Sequence, residues 1–166
     1  MSVFVLSQIL IGISFLFDLA SFQFKKRNYT LVCFVCAASL ISAHYFLLKQ
    51  PVAGFIIALS ATRFLVSIFS KDVRFKYLFL VLVTVTGLWN YEKIIDLLPL
   101  AAGYVATFAV FQPDDRLLRR LMMTATVCII TFNIFIFTPV GIFTESFFLA
   151  SNLLAYWRFY IKQKVS

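Results

Sequence analysis

The chain has 166 residues, 62% of them hydrophobic and only 13% charged, with a mean hydropathy of +0.95. A soluble domain carries about 25% charged residues, so a water-soluble enzyme or binding module is excluded; the recurring apolar runs match the roughly 20 residues that cross a bilayer as a helix. The net charge of +8 is explained by short basic loops lying against anionic headgroups, which removes the nucleic-acid reading.

The first apolar run predicts a helix over 2–23. It contains Asp18, has no basic segment before it and is followed by Lys25, Lys26 and Arg27, the reverse of a secretory signal. A second helix over 29–48 carries Cys33, Cys36 and the single His44. Lys49 precedes a third helix over 52–70, in which Arg63 stands alone among apolar residues. Lys71, Arg74 and Lys76 lead into helix four, 76–91, which ends at Trp89 and Asn90. Lys93 then separates it from helix five, 94–111, with Asp96 at its start and Pro99 and Gly103 within it. Asp114, Asp115, Arg116, Arg119 and Arg120 precede helix six, 119–137, which contains Asn133. Helix seven, 142–161, carries Glu145, Asn152 and Trp157, followed by basic residues at Arg158, Lys162 and Lys164.

Twelve of the fifteen basic residues thus gather in every second gap between apolar runs. Basic loops are retained on the cytoplasmic side. The pattern predicts an all-α membrane protein of seven crossings, with the N-terminus outside and the C-terminus cytoplasmic. Trp and Tyr near helix ends fit an interfacial aromatic belt.

The chain also resembles itself. Ala20, Phe22, Gln23 and Arg27 match Ala109, Phe111, Gln112 and Arg116 at an offset of 89, and Pro51-Val52 matches Pro139-Val140 at 88. The expectation is two triple-helix units, 2–70 and 94–161, made parallel by the linker helix 76–91. Such 3+1+3 repeats hold their substrate between the units and rock about it.

Leu98-Pro99-Leu100-Ala101-Ala102-Gly103, Thr138-Pro139-Val140-Gly141 and Ser151-Asn152-Leu153-Leu154-Ala155-Tyr156-Trp157-Arg158 resemble the YgjV-type bacterial inner membrane proteins over nearly the whole chain. That resemblance implies a multi-pass protein of the bacterial inner membrane. More distantly, the layout is similar to the SWEET sugar facilitators and PnuC vitamin transporters, which also use 3+1+3. The first helix lacks the proline of SWEET-type helices, and Gln50-Pro51 lies at an outer turn. The fold carries over from these families and the substrate does not.

Ionisable groups in hydrocarbon are expensive unless they face a cavity or a partner. Arg63 lies roughly 17 Å down helix three by helical rise. Its counterpart 89 residues on is Asn152. Arg63 can bind an anionic or carbonyl-bearing solute bidentately, or it can pair with Asp18. His44 and Asn133, also 89 apart, lie nearer the outer face. There they can serve a solute, a proton relay or a simple interhelical hydrogen bond. Glu145 can pair with His44 or sit at the positive end of its helix, and Asp96 admits the same dipole reading. Pro99 and Gly103 can supply a bend for gating, or close packing with no motion.

Other chemistry lacks its template. Cys33 and Cys36 lie inside a helix with Cys128 as the only other cysteine, too few ligands for zinc. No phosphate loop, zinc-protease motif or nucleophile elbow is present, and Asp114 and Asp115 sit among neutralising arginines. No cofactor, metal or enzymatic role is expected. The sequence leads to a small transporter or facilitator for an unknown small polar solute, with Arg63, Asn152, His44, Asn133 and Glu145 binding it. Asp18, Pro99 and Gly103 would be structural or gating. The rival readings are a non-transporting structural or regulatory protein and one that handles lipid through its basic loops. Assembly as a homo-oligomer fits any of the three.

Overall fold

The computed structural model describes residues 2–21, 27–70, 72–112 and 114–161. Among them are seven α-helices and no strand: α1 Val3–Ser21, α2 Arg27–Leu47, α3 Pro51–Phe69, α4 Val73–Trp89, α5 Leu97–Val110, α6 Asp115–Phe135 and α7 Pro139–Tyr156. A 3-10 turn, Ile94–Asp96, precedes α5, and a π-helical turn, Trp157–Ile161, continues α7. α1, α3 and Arg116–Phe135 of α6 are long and apolar enough to cross a membrane; Leu31–Leu47 and Ile94–Val110 are shorter apolar helices.

Three helices begin earlier than apolarity alone indicates. Asp72 and Asp114 cap α4 and α6, each accepting at 2.9 Å from the backbone N–H two residues on, Arg74 and Arg116. Such a cap satisfies an orphan donor, so a charged first turn is helical in spite of its polarity. α7 starts at Pro139, where the missing N–H costs nothing.

The helices form a ring. α1 packs on α2, α2 on α3, α3 on α5, α5 on α6, α6 on α7 and α7 back on α1, while α4 packs on α3 and α5. The inward face of α1 shows why: Ser7, Ile11, Ser14 and Ser21 are buried at spacings of four, three and seven, which places three small serines and one isoleucine on one stripe. Asp18 falls on the same stripe. Helix direction puts Arg74, Lys76, Arg116, Arg119 and Arg120 at one end of the ring, called the basic end below, with Lys49 and Lys93 at the other. Lys25, Lys26, Lys71, Lys162 and Lys164 lie outside the described residues, as do 22–24 of the first repeat match.

The turns after α2 and α6 have the same geometry. Lys49 and Phe137 take left-handed φ values of 57° and 54°. Gln50 N donates to Tyr45 O and Thr138 N to Asn133 O, at 3.0 and 3.1 Å. These are helix-ending motifs that satisfy the last carbonyls. They stand 88 residues apart, as do both ends of α2 and α6.

Candidate functional site

A cavity of about 800 Å³ lies inside the ring, lined from α1, α2, α3, α5, α6 and α7, and not from α4. It runs to the basic end, where Ser70, Gln112 and Leu118 line it. At the opposite end Tyr45, Ala53 and Phe132, all fully buried, pack with Ile41, Ile57 and Ile136 into an apolar floor.

Arg63 lines this cavity and is only 2% exposed. Its Nη1 donates to Thr107 Oγ1 of α5 at 2.7 Å and its Nη2 to Ser60 Oγ at 3.3 Å. The guanidinium lies 5.5 Å from the Phe64 ring centre. Thr107 Oγ1 in turn donates a hydrogen bond to Gly103 O, 2.7 Å away. Nε of Arg63 has no hydrogen-bond partner among the described residues. No ion pair joins Arg63 to Asp18 among the described residues. An arginine with five donors is thus held inside the ring by neutral hydroxyls, with capacity left over.

Asp18 and Glu145 line the same cavity, from α1 and α7. Ten residues of α1 separate Asp18 from Gln8, which bonds the start of α7, so Asp18 lies about 15 Å below that end by helical rise. Glu145, six residues into α7, lies about 9 Å below it. Both carboxyls are half-buried.

The remaining sequence candidates fall elsewhere. His44 and Asn133 are wholly buried beyond the cavity floor. His44 Nδ1 meets Ser7 O at 2.8 Å and its Nε2 meets Thr138 Oγ1 at 3.3 Å, so His44 and Glu145 do not pair. Tyr45 Oη donates to Asn133 Oδ1 at 2.8 Å. Gln8 Nε2 donates to Thr138 Oγ1 at 3.1 Å, and its Oε1 accepts from Val140 N at 3.2 Å. These residues tie α1, α2, α6 and α7 together where the cavity ends. Asn152 does not line the cavity; its Nδ2 donates to Phe148 O of its own helix at 3.2 Å.

Pro99 sits in the first turn of α5, where the backbone N–H has no intrahelical partner, so it removes no bond from the helix interior. Gly103 is a packing position: a Cβ there would come within 2.8 Å of Ile56 Cγ2 on α3. Asp96 Oδ2 accepts from the backbone N–H groups of Glu92 and Lys93 at 3.0 and 2.8 Å, bracing the turn before α5. Cys33, Cys36 and Cys128 are free thiols, and no cluster of metal-ligating residues forms among the described residues.

Gln8, Tyr45 and Thr107 do not stand out in the sequence, because single polar residues are common in apolar helices, and Thr138 stands out only as part of a family-like turn. The signal lay in the repeat register: Tyr45 is 88 residues from Asn133, and Asp18 is 89 from Thr107.

The model of a family described as bacterial inner membrane protein, YgjV type, matches residues 5–163. The inner membrane protein YgjV of Escherichia coli strain K12 is 30% identical over 155 residues, covering 93% of this chain and 81% of its own length. No solved structure matches. The chain belongs to the YgjV family of bacterial inner membrane proteins.

Proposed function

We propose that the protein is a small secondary transporter or facilitator that moves a small polar metabolite across the bacterial inner membrane by alternating access. The observation that carries this reading is the 800 Å³ cavity at Arg63, reaching one end of the helix ring and closed at the other. A dry structural bundle has no use for a buried guanidinium, held only by neutral hydroxyls, beside an open cavity.

The proposed architecture is 3+1+3: α1–α3 and α5–α7 as like units, with α4 as linker. Three features support it. The 88-residue register pairs α2 with α6 and the turn at Lys49 with the turn at Phe137. The contacts α1–α2 and α2–α3 correspond to α5–α6 and α6–α7. The two seams between the units, α1–α7 and α3–α5, exchange under the same correspondence, as a two-fold axis along the membrane normal requires. Basic residues at the cavity's open end orient that end to the cytoplasm, with the N-terminus outside and anionic headgroups around Arg116, Arg119 and Arg120. In this orientation the His44–Thr138–Gln8 and Tyr45–Asn133 bonds are the closed outer gate.

Accessibility tests the reading. With Cys33, Cys36 and Cys128 replaced, Ser67→Cys on the cavity wall should react with a membrane-impermeant thiol reagent in inside-out vesicles and be slow in right-side-out cells. Cysteines at Lys49 and Lys93 should show the opposite preference. Failure of Ser67→Cys to react from either side would mean a dry bundle and end the transport reading.

A further inference from the structure

The charged groups of the cavity are sorted by seam. Arg63 lies on the α3–α5 seam, where it bonds Thr107, and Asp18 and Glu145 come from α1 and α7, which form the other seam. Neither carboxylate pairs with Arg63 or with any other basic group among the described residues. Arg63, 98% buried by its 2% exposure, keeps an unpartnered Nε. Acidic and basic groups held apart across a low-dielectric space forgo the mutual attraction that would offset the desolvation of their charged forms. A solute carrying both complementary charges restores it.

We infer that the cavity takes a small zwitterion, an amine-bearing carboxylate, whose carboxylate meets Arg63 and whose ammonium meets Asp18 and Glu145 across the ring. This substrate class rests on the transport reading above. Arg63 offers a planar fork that suits a carboxylate. Asp18 and Glu145 are staggered by about 6 Å along the axis, so the two together accept ammonium groups at different separations from the carboxylate. Phe34, Phe64 and Phe148 on the wall suit an apolar or aromatic side chain between the charged ends. A neutral polyol leaves both charges unanswered, and a simple carboxylate answers one.

The test is titration of the purified full-length protein, by calorimetry and thermal unfolding. The probes are α-, β- and γ-amino acids, each beside its deaminated acid and its decarboxylated amine, with glucose and ribose as uncharged polyols. At least one amino acid should bind, with both half-charged analogues at least about tenfold weaker, the equivalent of one lost charge-assisted bond. Arg63→Gln should abolish that binding. Because Arg63→Gln can unfold the protein, Glu145→Gln and Asp18→Asn, which leave the Arg63–Thr107 bond in place, provide the second arm. At least one should weaken the amino acid about tenfold while leaving the affinity of its deaminated acid unchanged. The inference is overturned if no amino acid binds, if the deaminated acid binds as tightly as its parent, or if both carboxamide variants keep full affinity. A polyol or simple acid that binds where amino acids do not overturns the substrate class and leaves the transport reading standing. Absence of binding by every class, with an unreactive Ser67→Cys, overturns both.

Discussion

Tyr45 donates its hydroxyl proton to Oδ1 of Asn133 across 2.8 Å, and these two residues occupy the same position in α2 and α6, 88 residues apart. Both are wholly buried. The bond therefore joins a residue to its own counterpart and closes the ring at the end opposite the cavity mouth. Asn133 Nδ2 has no partner among the described residues, so Oδ1 is the one atom by which its amide is anchored.

Removing the hydroxyl with Tyr45→Phe should destabilise the protein by about 1 kcal/mol, within the range of interhelical hydrogen bonds in bilayers. A cycle with Asn133→Ala should give a coupling of about 0.6 kcal/mol. Reversible unfolding in mixed micelles measures both. If the pair belongs to an outer gate, a cysteine at Ser42 should also become more reactive from outside in Tyr45→Phe; additive mutants with unchanged reactivity would deny the pair that role.

Thr107 orients Arg63 without offering charge of its own. Thr107→Val keeps the shape, removes the acceptor and leaves Nη1 unpaired, which should cost about 1–3 kcal/mol. Thr107→Ser retains the hydroxyl and should stay within about 1 kcal/mol of the parent. Thermal unfolding of the two variants side by side decides; equal loss in both would show that the methyl, not the hydrogen bond, matters.

At Gly103, alanine places its Cβ 2.8 Å from Ile56 Cγ2. Both atoms belong to stiff positions, so the α3–α5 seam must widen, at an expected cost of about 1–3 kcal/mol. Ile56→Ala in the same chain should recover part of that loss, giving a non-additive pair. Full additivity would mean that the two helices do not approach closely here.

The left-handed turn residues give a backbone prediction. A non-glycine residue pays about 1–2 kcal/mol in this conformation, whereas glycine pays mainly unfolded-state entropy of roughly 0.5–1 kcal/mol. Phe137→Gly and Lys49→Gly should leave stability unchanged or raise it by up to about 1 kcal/mol. Phe137→Val and Lys49→Val, β-branched at φ values of 54° and 57°, should both lower it. Melting temperatures of the four variants test whether the two turns behave alike.

Periodicity and charge are enough to find seven helices and to place a cation near the middle of α3, and two short sequence matches suggest a repeat. These depend on local cost: a bilayer accepts only long apolar helices, and basic loops are held on one side. α4 and α6 start earlier than hydropathy indicates because the aspartate caps make polar turns helical, a hydrogen-bonding effect that hydropathy does not register. The partners of the polar groups were not legible at all. On the sequence Arg63 suits either Asp18 or a solute, and only the ring order, with α3 against α5 and α1 against α7, puts Thr107 beside it and Asp18 on the other seam. His44 and Glu145 can pair on the sequence alone, yet they lie on opposite sides of an apolar floor. Depth follows from counting residues along one helix; which face meets which neighbour follows from how six helices close a ring, and that is a property of the packed structure alone.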